Sequence, residues 1–276
     1  MASDKKIVLI TGGNTGLGYE IAKALYQTDI PYEIIIGCRS LDKGTGAIAN
    51  LQNEVPSSPS SLHTLQVDLN SDSSLEQAVE TLAARRGRLD VLVNNAGSSF
   101  DTEVPAGRLS LREAFNATWD TNVSGTHVLT SLAVPLLLES GDPRLLFVTS
   151  GTSSLVETEV TQSDTMPALA RLNASPPAGW PKPVAGLPLN MYRSAKTGLN
   201  MLMRQWNREL RNDGVKVWCV SPGFLATGLA GVGPEALKAM GARDPALGGR
   251  FVRDVIQGER DQDVGKAIRV DHIQPW

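Results

Sequence analysis

The chain has 276 residues, of which 41% are hydrophobic, enough to bury a large core within one α/β domain spanning 1–276. Its 26 basic and 29 acidic residues give a formal net charge of -3, and no basic run exceeds Arg85-Arg86, so a nucleic-acid surface is disfavoured. Cys38 and Cys219 each sit in an apolar run and suit buried free thiols. The start MASDKKIVLITGG carries no cleavage signal and no segment reaches membrane-span length, so a cytoplasmic protein is expected.

Short, almost wholly apolar runs recur in chain order: 5–11, 32–38, 62–67, 89–94, 144–150 and 215–221. Such runs suit strands buried on both faces of a parallel sheet. Helix-like intervals separate them, including 17–28, 73–85, 110–139 and 192–212. In the last, Ala195, Leu199, Leu202, Met203, Trp206 and Leu210 share one face, and Gly214 stands where the helix should stop. Alternation of this kind predicts a doubly wound, Rossmann-like sheet. Two stretches break the rhythm. The segment 151–190 contains Pro167, Pro176, Pro177, Pro181, Pro183 and Pro188 and reads as an irregular insertion with a helical turn near MPALARL. The Gly- and Ala-rich segment 223–249 reads as a loop carrying a short helix. Both would lie outside the carboxyl ends of strands, where ligands bind in open α/β sheets.

The first strand runs into TGGNTGLG, which brings Gly12, Asn14, Thr15, Gly16, Leu17 and Gly18 into the turn that opens the next helix. Glycines let the backbone approach a pyrophosphate, and the helix start supplies unpaired N–H groups and a positive dipole end. At the end of the second strand stands Arg39, followed by Ser40. An acidic residue there would accept from a ribose 2′-hydroxyl; an arginine instead offers charge and donors to a 2′-phosphate, which favours NADP(H) over NAD(H).

The spacing and residue types now resemble the short-chain dehydrogenase/reductase family over nearly the whole chain. TGGNTGLG is similar to its TGxxxGxG turn and NNAG at 94–97 matches its fourth-strand motif. Tyr192 and Lys196 fit YxxxK, and SPG at 221–223 followed by Thr227 resembles PGxxxT. The resemblance implies strand order 3-2-1-4-5-6, with a short seventh strand near 267–271. It implies adenine contacts at Asp68 and Leu69, adenosine-ribose contacts at Asn95, Ala96 and Gly97, and nicotinamide contacts at Pro222, Gly223 and Thr227. Asn122 takes the position of the family's catalytic asparagine.

The departure is the serine. Tyr192 lies 42 residues beyond Ser150, where the family usually spans about a dozen. Aligning LLFVTS on the family's fifth strand makes Ser150 the catalytic serine, with Ser153 in reserve. A comparable insertion occurs in carbonyl-reductase-like members, where it walls the pocket and can obstruct tetramer contacts, so a monomer or homodimer is expected rather than a tetramer.

The chemistry requires a proton for the alkoxide formed when hydride reaches a carbonyl. A free tyrosine, at about 10, is a poor donor near neutrality, and an ammonium one turn along the helix should lower it. By resemblance, Lys196 also binds the nicotinamide ribose, Ser150 donates to the substrate oxygen and Asn122 holds a water that links Lys196 to solvent. No metal is expected, since His63, His127 and His272 lack ligand spacing. Ser98 to Phe100, Leu155, Val156, Trp180, Leu187, Met191 and Phe224 would frame a pocket for a largely apolar carbonyl compound of moderate size. The expected activity is NADPH-dependent reduction of a ketone or aldehyde, a reversible hydride transfer that suits a tailoring step on a secondary metabolite. The alternatives are a non-redox dehydration, cyclisation or epimerisation, and a non-catalytic NADP(H) sensor.

Overall fold

A computed structural model describes residues 5–182 and 189–276. Its strands are β1 (Lys6–Thr11), β2 (Tyr32–Cys38), β3 (Ser61–Gln66), β4 (Val91–Asn94), β5 (Arg144–Val148), β6 (Lys216–Val220), β7 (Ala267–Ile268) and β8 (Ile273–Gln274). They form one sheet in the order β3-β2-β1-β4-β5-β6-β7-β8. All neighbours are parallel except β7 and β8. The expected order is present, the seventh strand occupies the expected place, and an antiparallel eighth extends the edge. The order reverses around β1, which pairs with β2 on one side and β4 on the other, so the chain diverges there and leaves a crevice at the carboxyl ends.

Helices cover both faces: α1 (Gly16–Tyr26), α2 (Leu41–Glu54), α3 (Asp72–Arg86), α4 (Leu111–Trp119), α5 (Gly125–Leu138), α6 (Pro167–Asn173), α7 (Asn190–Leu210), α8 (Pro234–Ala239) and α9 (Pro245–Ile256). Alternate strand residues feed two separate cores, which is why the strands read as continuous apolar runs. Leu9, Leu92, Leu145 and Phe147 pack with Leu129, Leu199, Met203 and Trp206 on the α3, α5 and α7 side. Ile10, Ile34, Val93 and Leu146 pack with Ile21, Leu25, Phe251 and Val255 on the α1 and α9 side. Both cysteines are free and buried, and no helix among the described residues is long and apolar enough to cross a membrane.

Two helical readings change. The single helix expected over 110–139 is α4 and α5 joined by a π-turn, Asp120–Ser124, in which the Gly125 N–H reaches back five residues to the Asp120 carbonyl. The loop expected over 223–249 contains α8 as foreseen but ends early, because Asp244 caps α9 by accepting from the Ala246 N–H and Pro245 opens it. Gly249 there is a packing residue: a Cβ at this position would run into the Glu20 backbone of α1.

At the amino ends of the strands, away from the crevice, Arg144 is only 3% exposed. Its guanidinium donates to Asp261 Oδ1 at 2.6 Å, to Asp142 Oδ2 at 3.0 Å and to the Val255 carbonyl at 3.1 Å, tying β5 to α9 and the turn beyond it. Lys6 and Lys216 also hold Asp142. Burial works against both carboxylates, but their cationic partners hold Asp142 and Asp261 below the usual range. Their contribution is therefore full at neutral pH and lost as pH falls below about 4, where the unfolded carboxylates take up protons. Arg144→Ala should cost about 1–3 kcal/mol by removing the donors that serve the Val255 carbonyl and both carboxylates, which keep only Lys6 and Lys216, measured as a lower Tm at neutral pH. The deficit should shrink towards acid; a Tm equal to that of the parent protein would deny the cluster any structural weight.

Candidate active site

The glycine turn is held open from below by a hydroxyl. Thr11, buried at the end of β1, donates through Oγ1 to the Val93 carbonyl at 3.3 Å and accepts from the N–H groups of Asn95 and Ala96 at 3.0 and 2.9 Å. The Asn95 amide adds a 2.7 Å bond to the Thr11 carbonyl. These contacts press the segment after β4 against the turn so closely that a Cβ on Gly18 would lie 2.6 Å from Asn95 Nδ2. Gly12 and Gly16 take positive φ of 64° and 54°. The Asn95 side-chain N–H is therefore spent on architecture. Neither Thr11 nor this role of Asn95 was read from the sequence, although both lie in quoted motifs.

Arg39 lies exposed at the end of β2, and no carboxylate among the described residues pairs with it. Ser40 caps α2, its Oγ accepting from the Lys43 N–H at 3.4 Å. An open cleft of about 580 Å³ between α1 and α2 is lined by Asn14, Thr15, Gly16, Tyr19 and Lys43. Lys43 thus adds a cation on that side which the sequence reading did not include. Asp68 accepts the Asn70 N–H at 3.1 Å and Leu69 is buried, closing the β3 side.

Asn122 is completely buried inside the π-turn, and its Nδ2 donates to the carbonyls of Thr118 and Ser98, both at 2.7 Å. Its Oδ1 is buried without a hydrogen-bond partner among the described residues. A Cβ on Gly97 would lie 2.6 Å from that oxygen and 3.3 Å from Lys196 Nζ, so the three groups meet at one point. Lys196, 3% exposed, donates to the Val148 carbonyl at 2.9 Å and lies 5.7 Å from the centre of the Tyr192 ring. Burial lowers the lysine to about 8. It also pushes Tyr192 up to about 12, with the Ser150 hydroxyl beside the phenol pulling the other way. Desolvation of the phenolate thus acts against the lowering expected from the ammonium.

The two serines separate clearly. Ser153 is buried, donates to the Ser150 carbonyl at 2.7 Å and accepts from Asn200 Nδ2 at 3.0 Å, so its hydroxyl is consumed within the fold. Ser150 Oγ is half-buried, accepts from the Thr152 N–H at 3.1 Å and contacts the Thr152 hydroxyl at 2.9 Å. Arg193, next to the tyrosine, was also missed. Its guanidinium donates to the Thr152 carbonyl at 3.1 Å and to Asn173 Oδ1 at 2.8 Å, stapling the insertion to α7.

Around this point, Pro222 is buried, Gly223 has φ 99°, and a Cβ on Gly16 would lie 3.5 Å from Thr227. Of the expected apolar walls, Leu155, Val156 and Phe224 are exposed, and Trp180 is 88% exposed. Met191 is buried and offers little free surface, and Leu187 lies outside the described residues. A nicotinamide dinucleotide fits these groups: a glycine cradle closed to side chains, two cations beyond β2 and an unused buried acceptor next to a lysine.

The short chain dehydrogenase family profile matches residues 6–161 and 182–236. Short-chain dehydrogenase/reductase tropE of Talaromyces stipitatus is 46% identical over 279 aligned residues, covering 99% of each chain. Short-chain dehydrogenase/reductase eupG of a Phoma species is 45% identical, covering 100% of this chain and 99% of its own. In fold, the NADPH-bound carbonyl reductase from chicken fatty liver superposes with a TM-score of 0.75 at 18% identity over 99% of both chains. An alcohol dehydrogenase from Thermococcus sibiricus in complex with 5-hydroxy-NADP gives 0.73 at 21% identity, over 98% of this chain and 97% of its own. Relatives this similar from end to end agree with the crevice built at the reversal of strand order, and the chain belongs to the short-chain dehydrogenase/reductase family of oxidoreductases.

Proposed function

We propose that the protein reduces a ketone or aldehyde with NADPH, with Tyr192 as proton donor. The carrying observation is the meeting of Tyr192, Ser150 and Lys196 beside the unpartnered Oδ1 of Asn122. NADPH, when bound, supplies the hydride. Ser150 donates a hydrogen bond to the carbonyl oxygen as negative charge builds there. Tyr192, held protonated by its buried setting, passes its proton to that oxygen. Lys196 stabilises the phenolate so formed and returns a proton to it, and Asn122 Oδ1 accepts from a water through which the lysine, then neutral, is reprotonated.

NADPH rather than NADH is supported by the exposed Arg39, which has no carboxylate partner among the described residues, and by Lys43 beside the α1–α2 cleft. The NADPH and 5-hydroxy-NADP carried by the two structural neighbours agree with it. The gap between Ser150 and Tyr192, bridged by the insertion that Arg193 staples in place, and the apolar Leu155, Val156 and Phe224 support a largely apolar substrate of moderate size. We assign the 151–190 and 223–249 segments to its pocket, and the whole chain to a single cytoplasmic domain acting as a monomer or homodimer.

Mixing the protein with NADPH and a carbonyl panel, while following the absorbance of the reduced nicotinamide, tests the reading. Tyr192→Phe should lower turnover by about 10²–10⁴-fold, and Ser150→Ala by about 10²-fold, with NADPH affinity retained. Turnover that survives Tyr192→Phe, or a Ser153→Ala loss equal to that of Ser150→Ala in a folded protein, would contradict these roles. Arg39→Asp should weaken NADPH at least about tenfold relative to NADH; an unchanged ratio removes Arg39 from the 2′-phosphate. Because Lys196 loses its charge near 8, kcat/KM for reduction should fall as pH rises through that value. A flat profile from pH 7 to 10 would show that its charge is not needed.

A further inference from the structure

Asp101 lies in the loop after β4 and is 2% exposed, and no cation among the described residues pairs with it. Its carboxylate is nevertheless fully engaged. Oδ1 accepts the Met191 N–H at 2.9 Å; Oδ2 accepts the Tyr192 N–H at 3.0 Å and the Ser99 hydroxyl at 2.9 Å. Met191 and Tyr192 are the second and third residues of α7, so these are orphan donors of its first turn. The residue in the N-cap position, Leu189, has no side chain able to serve them. A carboxylate ninety positions earlier in the chain supplies the cap instead, and the positive end of the helix stabilises its charge.

A local cap would satisfy the same donors, so the distance matters. The four residues 98–101 are bonded on two sides. The Ser98 carbonyl accepts from Asn122 Nδ2 at 2.7 Å, and the Phe100 N–H donates to Thr118 Oγ1 at 3.3 Å, which holds the strap to α4 and the π-turn. Asp101 then binds the backbone of Tyr192 itself. We infer that Asp101 is a positioning residue for the reduction: through the 98–101 strap it fixes the Tyr192 turn of α7 relative to Asn122. It touches neither substrate nor cofactor. Its effect is geometric, and a misplacement of about 1 Å in such a group can cost 10²-fold in rate. The inference rests on the proposed reductase activity.

The experiment measures kcat, KM, NADPH affinity and Tm on the full chain for Asp101→Ala, for Asp101→Ala combined with Leu189→Asp, and for Ser99→Ala. Asp101→Ala should lower kcat roughly 10- to 100-fold and leave NADPH affinity within about twofold. It should also lower Tm by about 2–4 °C through loss of the cap. Adding the local cap at Leu189 should restore Tm and leave kcat low. If kcat returns with Tm, Asp101 is an ordinary helix cap and the positioning role is overturned. Should Asp101→Ala fail to fold, Ser99→Ala decides: it removes the hydroxyl that steadies Oδ2 and should lower kcat several-fold at unchanged KM and Tm, whereas parental kcat, or a change in KM alone as from a lost pocket contact, overturns the proposal. A parent protein inactive on every carbonyl overturns the reductase reading and this inference with it; an active parent and an equally active Asp101→Ala overturn the positioning role alone.

Discussion

The Thr11 hydroxyl resolves a conflict built into the sheet. Parallel strands β1 and β4 must pair to hold the core, yet they must part at their carboxyl ends to make room for a ligand. Backbone bonding alone would continue the ladder. Thr11 ends it by donating to Val93 and accepting from both Asn95 and Ala96, so the chain after β4 turns away while its N–H groups stay paired. Gly97 and the strap beyond it leave from this junction, and Asn122, Lys196 and the turn bearing Tyr192 are each within reach of them. The glycine turn and the groups proposed for proton transfer therefore share one anchor.

Electrostatics then sets what those groups are when substrate arrives. Burial makes both charged forms costly, raising the phenol and lowering the ammonium. In the proposed reaction the pair would be a neutral acid beside a readily deprotonated cation. That polarity suits delivery of a proton to an oxygen gaining charge. The Ser150 hydroxyl opposes the rise of the phenol because it stabilises the anion, the same property that lets it stabilise an oxyanion.

Much of this was legible because it follows from local rules. Strand limits such as Tyr32–Cys38 and the α7 face from Ala195 to Leu210 come directly from apolar periodicity, and Gly214 does adopt the left-handed conformation after the helix. The glycine turn and Tyr192–Lys196 announce themselves by spacing. What stayed hidden depends on contacts between distant positions. Asp101 in sequence is an ordinary turn aspartate, and only the fold shows that its acceptors meet α7. Arg193 reads as a helix-surface cation until Asn173 is brought to it. The two-residue β8 is too short for any periodicity. Gly248-Gly249 resembles a loop signal, although it marks close approach of α9 to α1.

The π-turn at Asp120–Ser124 has a meaning for how this region can change over time. A widened turn holds one residue more than the α-helical count, so the surfaces of α4 and α5 are out of phase by about 100° relative to a continuous helix. The carbonyl of Thr118 is met by the Asn122 side chain, which makes the extra residue self-supporting. α4 packs on α7 and α5 on α3, each in its own register. Deleting a single residue here would re-phase one helix against its neighbour and swing Asn122 off its point near Lys196. Substitutions can accumulate on either half independently, but the length of the segment between them is locked.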